Sequence, residues 1–368
     1  MKRSVVINTL VAAALSIGCA QQAFALTKLR VGYCARTLNI NASPFAIAQK
    51  MGYFAEGGID VEVVPLGGST ECIQNLAAET LDFTYATADA VLVGKSKGVD
   101  AVIFYTILQK NIFGLAVAQD SPIKSVSDLR GKKIGVTSMG STGVLVARAL
   151  ASMNGLNPDR DIELVTIGEA AQSATLLRNK QVDALSQFST NYAMIEFAGV
   201  KLRNLDNGPI ESFPSATLVG LRKNMEKNRG GAIALARGYA MATLFLMTNP
   251  AAATRIVQEV WPESQGIGRD EATIAAMDKA VLKSFDFAQD VRPMGVRWGD
   301  SNLDRYADYI KFLNTWGVLQ TTLDPRTFVT NDLSDGINKF DASKVEADAL
   351  AYGRKQGDAG STSPTRKN

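Results

Sequence analysis

The chain has 368 residues, of which 46% are hydrophobic, so it is long enough to build two domains with hydrophobic cores of their own. Its 39 Lys and Arg residues against 36 Asp and Glu residues give a formal net charge of +3, which does not favour nucleic acid as a partner. The chain contains no histidine, which excludes serine–histidine triads, zinc–water hydrolases and histidine phosphotransfer as chemistry of this chain alone.

Residues 1–25 have the pattern of a secretory signal peptide. Two basic residues precede an apolar run over about residues 5–17, and the small-x-small triplet AFA ends at Ala25. The apolar run is too short for a stable membrane anchor, and no later stretch approaches about 18 uninterrupted apolar residues. Cys19 leaves a lipoprotein leader as an alternative, although Ser16 stands where a lipobox normally has leucine. We expect cleavage after Ala25 and a mature protein outside the cytoplasm.

The mature chain begins with strands and helices in alternation. Strands are predicted over residues 28–34, 58–66 and 81–87, with a helix over residues 44–52 and a loop and helix over residues 67–80. A serine and a proline suit the N-cap and first position of the first helix, and a glycine ends it. This β-α-β-α-β order predicts an α/β fold with a parallel sheet.

A second copy of the pattern follows about one hundred residues later. The segment DVEVV at 60–64 is echoed by DIELV at 161–165, and RVGY at 30–33 is echoed by KIGV at 133–136. In both copies another aspartate follows the first aspartate of the DVEVV or DIELV segment after 22 residues. Internal duplication is the economical explanation, although any two βαβ units share short apolar strands. Either origin predicts two similar lobes.

Two apolar passages connect the lobes. Residues 101–119 are rich in strand-forming side chains and fit a crossover into the second lobe, and residues 215–224 fit the return. Two crossovers between α/β lobes make a hinge, and the hinge makes a cleft. We place the first lobe at residues 26–110 and 220–340 and the second lobe at residues 111–219.

The C-terminal part of the first lobe is predicted to be helical. The clearest apolar helix covers residues 230–249, and further helices are expected near residues 270–283 and 302–316, packed against the first lobe and the hinge. The chain ends in a polar stretch rich in Gly, Ser and Pro that lacks periodicity. We expect residues 341–368 to be a disordered tail.

A loop of small hydroxylated residues and glycines at 138–142 leads into the first helix of the second lobe. The first N–H groups of a helix lack partners and carry partial positive charge, so such a loop is suited to hold an anion. Its glycines match neither a P-loop nor a complete dinucleotide-binding fingerprint. The alternative is that Ser138 or Ser141 is an ordinary N-cap and that Gly140 relieves a tight turn.

Two segments carry a resemblance to a known family: GYFAEGGIDVE at 52–62 and SVSDLRGKKIGV at 125–136. Over roughly residues 29–316 the chain resembles the nitrate, sulfonate, taurine and thiamine-pyrimidine (NMT1/THI5-like) solute-binding proteins of ABC importers. The resemblance implies a two-lobed periplasmic binding-protein fold of type II that closes on a small molecule without catalytic turnover. It further implies a periplasmic protein whose partners are a membrane permease and its ATPase. We expect a monomer with no cofactor and no metal site.

The site is expected at the carboxyl ends of the parallel strands, where loops lead into helices. These loops are rich in short polar side chains, which suit a site that binds a polar solute by neutral hydrogen bonds and releases it. The GGSTE loop at 67–71 and the MGSTG loop at 139–143 are interpreted as one device used twice, and we expect them to face each other. The candidate ligand-binding residues are Arg36, Thr37, Asn39, Ser69, Thr70, Glu71, Thr87, Asp89, Tyr105, Ser138, Gly140, Ser141, Thr142, Gln187, Ser189 and Asn191.

Several of these candidates have two interpretations. Arg36 either pairs with a sulfonate or carboxylate or is a solvated loop arginine. Glu71 and Asp89 would repel an anion and would accept N–H groups from an amine or heterocycle, and Glu71 also suits the N-terminus of its own helix. Tyr105 either lines the cleft or packs in the hinge. The ligand therefore stays open between a sulfonate, a carboxylate, nitrate and a nitrogen heterocycle.

Cys34 and Cys72 are the two cysteines left after the leader is removed, and they are a candidate disulfide in an oxidising compartment. The strands that precede them are expected to be neighbours, so the two sulfur atoms could meet if their Cα atoms lie within about 7 Å.

Three functions fit these features. The first is the binding component of an ABC importer for a small polar organic solute, and the second is a sensory binding protein that docks on a receptor. The third is an enzyme, since pyrimidine-synthesising relatives of this fold use a lysine-bound cofactor with histidine chemistry. A chain with no histidine and with a signal peptide fits the third function poorly.

Overall fold

Strands and helices alternate along most of the chain, as the sequence pattern predicts. The structure is a computed structural model that describes residues 25–265, 269–284, 286, 290–293 and 295–353. Apart from Ala25, the expected signal peptide lies outside the described residues. The strands are β1 Thr27–Tyr33, β2 Ile59–Pro65, β3 Phe83–Thr87, β4 Ala101–Thr106, β5 Phe113–Ala118, β6 Lys132–Val136, β7 Ile162–Thr166, β8 Ala184–Phe188, β9 Leu202–Asn204 and β10 Ala216–Leu221.

The helices lie on both faces of the sheets and in the C-terminal part. They are α1 Ser43–Lys50, α2 Tyr53–Glu56, α3 Ser69–Ala77, α4 Ala88–Ser96, α5 Thr142–Met153, α6 Ala170–Arg178, α7 Ser189–Phe197, α8 Arg222–Lys227, α9 Arg229–Thr248, α10 Pro250–Val260, α11 Glu271–Lys283, α12 Leu303–Thr315, α13 Ser334–Ile337 and α14 Ala342–Ala351. Within the described residues, α9 is the one helix long and apolar enough to cross a membrane, and most of it is buried inside the first lobe.

Two five-stranded sheets form two lobes of the same plan. The first sheet has the order β2-β1-β3-β10-β4, and the second has the order β7-β6-β8-β5-β9. In each sheet the first three strands are parallel, as the β-α-β-α-β order predicts, and the fourth runs antiparallel to its neighbours. The antiparallel strand in each sheet adjoins a crossover, since β5 enters the second lobe and β10 returns to the first.

The return to the first lobe occurs earlier than the expected boundary at residue 220. Strand β10 begins at Ala216, which pairs with Thr87 of β3. The hydroxyl of Thr217 donates a 2.8 Å hydrogen bond to the carbonyl oxygen of Ala86. Because the backbone of β10 completes the first sheet from its first residue, we place the boundary between residues 215 and 216.

The hinge is packed by aromatic and hydroxyl side chains from α12. The ring of Tyr309 stacks on Phe213 of the return segment, with centroids 4.7 Å apart. The hydroxyl groups of Tyr306 and Thr106, at the end of β4, lie 2.9 Å apart. Helix α12 therefore packs against the hinge, as expected. Helix α11 differs from expectation, because it packs against α7 of the second lobe as well as against α10.

The expectation of disorder over residues 341–368 is wrong for Ala342–Ala351. This segment is the helix α14, which packs on α9. Val345 and Ala349 are one helical turn apart and fully buried against the first lobe, and the Asp341 carboxylate caps the helix by accepting from the N–H of Lys344 at 3.1 Å. Two small apolar residues at helical spacing suffice here because the neighbouring helix supplies the rest of the apolar surface. The end of the expected tail, residues 354–368, lies outside the described residues.

The candidate disulfide between Cys34 and Cys72 is wrong for this structure, where both cysteines are free thiols. The thiol of Cys34 faces the hydroxyl of Ser69, whereas the thiol of Cys72 faces the hydroxyl of Thr84. The neighbouring strands do place the two residues near each other, but their side chains point to different partners. Burial raises the pKa of Cys34 to about 12, so this thiol is protonated at neutral pH.

The packing of α14 gives a first testable prediction. Val345→Ala removes two buried methyl groups and is expected to lower the free energy of unfolding by about 1–3 kcal/mol, as measured by urea denaturation. Glu346→Ala, at the exposed neighbouring position, is the matched control and should change it by less than about 0.5 kcal/mol. Equal stabilities of the two variants would contradict the packing of α14 on the first lobe.

Candidate functional site

The two lobes enclose a cavity of about 290 Å³ at the carboxyl ends of their parallel strands, where the sequence places the site. A depression of about 400 Å³ near residues 97–100 and 221–223 is larger, but it is formed by the first lobe alone. The first lobe contributes Cys34, Arg36, Thr37, Gly67, Gly68 and Ser69 to the cavity lining. The second lobe contributes Phe113, Thr137, Ser141, Thr142, Gly168, Glu169, Gln172 and Phe188.

Hydrogen bonds join the lobes beside this cavity. The N–H of Thr70 donates to the carbonyl oxygen of Gly140 at 3.2 Å, and the hydroxyl of Ser138 donates to the carbonyl oxygen of Gly67. The hydroxyl groups of Thr87 and Thr142 lie 2.5 Å apart. The structure therefore shows a closed cleft, in which the 138–142 loop faces the 67–71 loop as expected.

Strand order identifies which loops of the two lobes are equivalent. Strand β6 lies between β7 and β8 as β1 lies between β2 and β3, so β7 is the counterpart of β2. The counterpart of the GGSTE loop at 67–71 is therefore GEAAQ at 168–172, which follows β7. The interpretation of GGSTE and MGSTG as one device used twice is wrong, because MGSTG follows β6 and corresponds to the loop after β1.

Glu169 is the charged cavity residue that the sequence interpretation missed. The repeat distance of 101 residues between Asp60 and Asp161 carries Gly68 onto Glu169, so the signal was present in the spacing. Burial raises the pKa of the Glu169 carboxyl, and the positive charge of Arg36 acts in the opposite direction. Since both residues line the cavity, it contains charges of opposite sign, one from each lobe.

Neither of these charged groups is committed to a protein partner. Among the described residues, no ion pair or side-chain hydrogen bond involves the guanidinium of Arg36 or the carboxylate of Glu169. Glu71, by contrast, accepts a 2.7 Å hydrogen bond from the N–H of Gly67 and does not line the cavity. Glu71 holds the loop in place, while Arg36 and Glu169 are available to a ligand.

A buried amide network supports the turn that carries Glu169. Asn191 accepts a 2.8 Å hydrogen bond from the N–H of Ala170, and Gln187 donates to the carbonyl oxygen of Gly168 at 3.3 Å. The amides of Gln187 and Asn191 also bond each other. Ala170 has a positive φ of 42°, which costs backbone energy for a residue other than glycine. Gln187 and Asn191 were expected to contact the ligand. They do not line the cavity and instead hold the turn at residues 168–170.

The other candidate residues lie in several places. Arg36, Thr37, Ser69, Ser141 and Thr142 line the cavity. The remaining candidates do not line it: Asn39 caps the turn at Ile40–Ala42, Ser189 begins α7 with a buried hydroxyl, Asp89 is buried at the start of α4, and Thr70, Thr87, Ser138 and Gly140 join the lobes.

Tyr105 lies in the core of the first lobe, so the placement of its ring on the cleft is wrong for this structure. Its side chain is 1% exposed, and its ring lies 6.0 Å from that of Tyr239. Gly299 packs so closely against the ring that a Cβ atom there would lie 2.1 Å from Cδ2 of Tyr105. Tyr105 therefore packs at the base of the hinge.

A smaller inner compartment of about 60 Å³ adjoins the cavity and shares Cys34, Phe113 and Phe188 with it. Its walls are mostly apolar, and its lining also includes Tyr33, Ala35, Asn41, Tyr85, Thr87, Ile112, Thr190, Ser215 and Ala216. Within the described ranges, no group of three or more Cys, Asp or Glu side chains is placed to hold a metal ion.

Comparisons with known proteins find relatives at low sequence identity. A protein of Haemophilus influenzae named for thiamine biosynthesis is 23% identical over 217 residues, which are 58% of this chain and 67% of that protein. A solved structure from Bordetella bronchiseptica RB50 has a TM-score of 0.69 at 23% identity, covering 85% of this chain and 97% of the other. The alkanesulfonate-binding protein SsuA of Xanthomonas axonopodis pv. citri bound to MOPS has a TM-score of 0.62 at 16% identity, covering 83% of this chain and 98% of its own.

These structural similarities confirm the type II periplasmic binding-protein fold expected from the sequence. The NMT1/THI5-like family matches residues 39–253, which is more than half of the chain. The chain therefore belongs to the NMT1/THI5-like family.

Proposed function

We propose that this protein is the periplasmic solute-binding component of an ABC importer, which closes on a small polar organic solute and delivers it to a membrane permease. The observation that carries the proposal is a cavity built from both lobes, with two unpartnered charged side chains, at a hinged cleft. The fold shared with an alkanesulfonate-binding protein and the leader-like N-terminus support it. A sensory protein that docks on a receptor would use the same cleft.

An enzymatic function is the second candidate, because a curated relative is named for thiamine biosynthesis. The described cavity lining contains no lysine, and the chain contains no histidine that could transfer protons. The thiol that lines the cavity belongs to Cys34, whose pKa is raised to about 12, so it is a poor nucleophile at neutral pH. These features favour binding over turnover.

Closure depends on a close backbone contact between the lobes. A Cβ atom at Gly68 would lie 2.6 Å from the carbonyl oxygen of Gly140 in the other lobe. Gly68 also has a φ of 149°, which residues with a side chain rarely adopt. At Gly140, a Cβ atom would meet the Cβ of Thr70 at 3.6 Å, an ordinary contact distance. Of these two glycines, only Gly68 could not be replaced by a residue with a side chain without disturbing the contact between the lobes.

A carboxylate is buried where the two lobes meet. Asp89 is 1% exposed, and the hydroxyls of Thr87 and Thr142 lie beside it, one from each lobe. Burial raises the pKa of Asp89 to about 6, and the nearby hydroxyls only partly oppose that effect. Neither carboxylate oxygen receives a well-directed hydrogen bond from the described residues. We infer that Asp89 makes the closed form costly at neutral pH, so that a bound solute is needed to hold it.

The proposed function is tested by a thermal-shift screen of the mature protein against sulfonates, carboxylates, nitrate and nitrogen heterocycles. A solute that binds only the folded protein raises the melting temperature with concentration, by mass action. We expect such a solute, and we expect mass spectrometry to recover it unchanged after prolonged incubation. Recovery of a chemically altered product would contradict a binding function.

The contact at Gly68 predicts a difference between two glycine variants. With the solute found by the screen, Gly68→Ala should weaken binding by roughly 5- to 150-fold, the equivalent of about 1–3 kcal/mol of overpacking. Gly140→Ala, the control from the facing loop, should bind within about 3-fold of wild type. Small-angle scattering should show a larger radius of gyration for the saturated Gly68→Ala protein than for the control. Equal affinities would mean that the solute is bound without this closure.

Asp89 predicts a pH-dependent stability difference. Since its pKa is raised from 3.8 to about 6, the penalty of burying it is present above about pH 6 and disappears as the pH falls towards 4. Asp89→Asn should therefore raise the free energy of unfolding above that of wild type by more at pH 7.5 than at pH 4. This variant-minus-wild-type difference should change by up to about 3 kcal/mol between the two pH values, as measured by urea denaturation. Burial also raises the pKa of Asp278 to about 6, so the stability difference for Asp278→Asn should change with pH in the same direction. An Asp89→Asn difference that does not vary with pH would show that Asp89 is not buried as a charge.

A further inference from the structure

The cavity presents two charges of opposite sign. Arg36 follows β1 of the first lobe and Glu169 follows β7 of the second, so the ligand lies between them when the lobes close. Neither side chain is paired within the described chain, and Glu71, the acidic residue nearest in sequence to the first-lobe lining, is occupied by the N–H of Gly67. An inorganic anion would satisfy Arg36 and leave Glu169 buried against a like charge. The pair instead fits a ligand with an acidic group and an N–H donor.

The same cavity has an aromatic wall. Phe113 and Phe188, at the adjoining ends of β5 and β8, pack edge to face with centroids 5.5 Å apart and an interplanar angle of 62°. Both rings remain partly exposed, and both line the cavity as well as the inner compartment. Aromatic faces left open beside charged groups offer a surface for a flat ring. Neither nitrate nor a short aliphatic sulfonate would cover that surface.

The inner compartment limits how far the ligand extends. Its volume is about 60 Å³, against about 290 Å³ for the cavity, so it admits a smaller part of a ligand than the cavity does. The oxygen atoms Asn41 Oδ1 and Ser215 Oγ are buried there without a partner among the described residues. The cavity of about 290 Å³ has room for an aromatic ring together with its polar substituents.

We propose that the ligand is a small aromatic acid that carries an amino group, with its sulfonate or carboxylate bound by Arg36, its N–H groups bound by Glu169 and its ring packed on Phe113 and Phe188. This inference rests on the proposed binding function and specifies the class of solute. Thr37, Ser69, Ser141 and Gln172 also line the cavity, and the Ser141 hydroxyl is buried without a partner among the described residues. The Arg36 fork binds either acid in a bidentate manner.

The test compares probes that lack one group at a time, measured by calorimetry on the wild-type mature protein. The complete probes are 4-aminobenzenesulfonate and 4-aminobenzoate, which also separate the two acids. Benzenesulfonate and benzoate lack the amine, aniline lacks the acid, taurine lacks the ring, and nitrate lacks both ring and amine. We expect a complete probe to bind at least 10-fold more tightly than each incomplete one.

Two variants assign the groups to side chains. A probe without the amine should bind wild type at least 10-fold more weakly than the complete probe, but Glu169→Gln less than 3-fold more weakly. A probe without the acid should show the same two limits for wild type and Arg36→Gln. Glu62→Gln, on the exposed face of β2, is the control and should leave both penalties unchanged. Melting temperatures establish that the variants fold, and the wild-type probe series tests the inference even where a variant does not.

The outcomes separate this inference from the function on which it rests. Taurine, nitrate or an acid without an amine binding as tightly as the complete probes would overturn the inference and leave a binding function intact. The same holds if the solute screen finds a ligand of another class while the complete probes fail to bind. Conversion of a probe to a product would overturn the proposed function itself.

Discussion

The closed cleft depends on a backbone contact between the lobes that leaves no room for a side chain at residue 68. The carbonyl oxygen of Gly140 lies 2.6 Å from where a Cβ atom of residue 68 would be, and the N–H of Thr70 donates to that same oxygen. This contact brings together the loops that follow β2 and β6, and the cavity is enclosed between the loops of the two lobes. Together with the contacts of Ser138 with Gly67 and of Thr87 with Thr142, it holds the side chains of the two lobes around that cavity.

Enclosure gives the charged side chains their significance. In water, Arg36 and Glu169 would be screened, whereas in an enclosed site their interactions with a ligand are stronger and their desolvation is more costly. The buried side-chain amides of Gln187 and Asn191 hold the turn that carries Glu169. Arg36 and Glu169 have no partner among the described residues, so a solute that binds both would add to the hydrogen bonds that already join the lobes. That division suits a protein that must also release its cargo.

Much of the architecture was predictable from local pattern. The alternation of apolar strands and helices predicted both lobes and the parallel parts of both sheets, and the crossovers predicted the hinge. The antiparallel strands β5 and β10 were harder to place, because a crossover strand pairs with partners distant in sequence. Helix α14 was missed because two buried residues, Val345 and Ala349, give too weak a periodicity without the surface of α9 that covers them.

The site was predictable to the level of the loops and not of the side chains. Five candidates line the cavity, but short polar residues at the ends of strands serve equally well as caps, lobe contacts or network members, and sequence does not distinguish these uses. Tyr105 and Asp89 became buried through packing by distant elements. Glu169 was missed because the loops of the two lobes were matched by their amino-acid composition. GGSTE at 67–71 is similar in sequence to MGSTG, but the structural counterpart of GGSTE is GEAAQ at 168–172.

A crystal structure of the mature protein with the solute selected by screening tests the central claim most directly. The account predicts an unmodified solute enclosed between the lobes, in contact with Arg36 from the first lobe and Glu169 from the second. A solute bound outside the cleft, or bound to one lobe with the 67–71 and 138–142 loops apart, would contradict it.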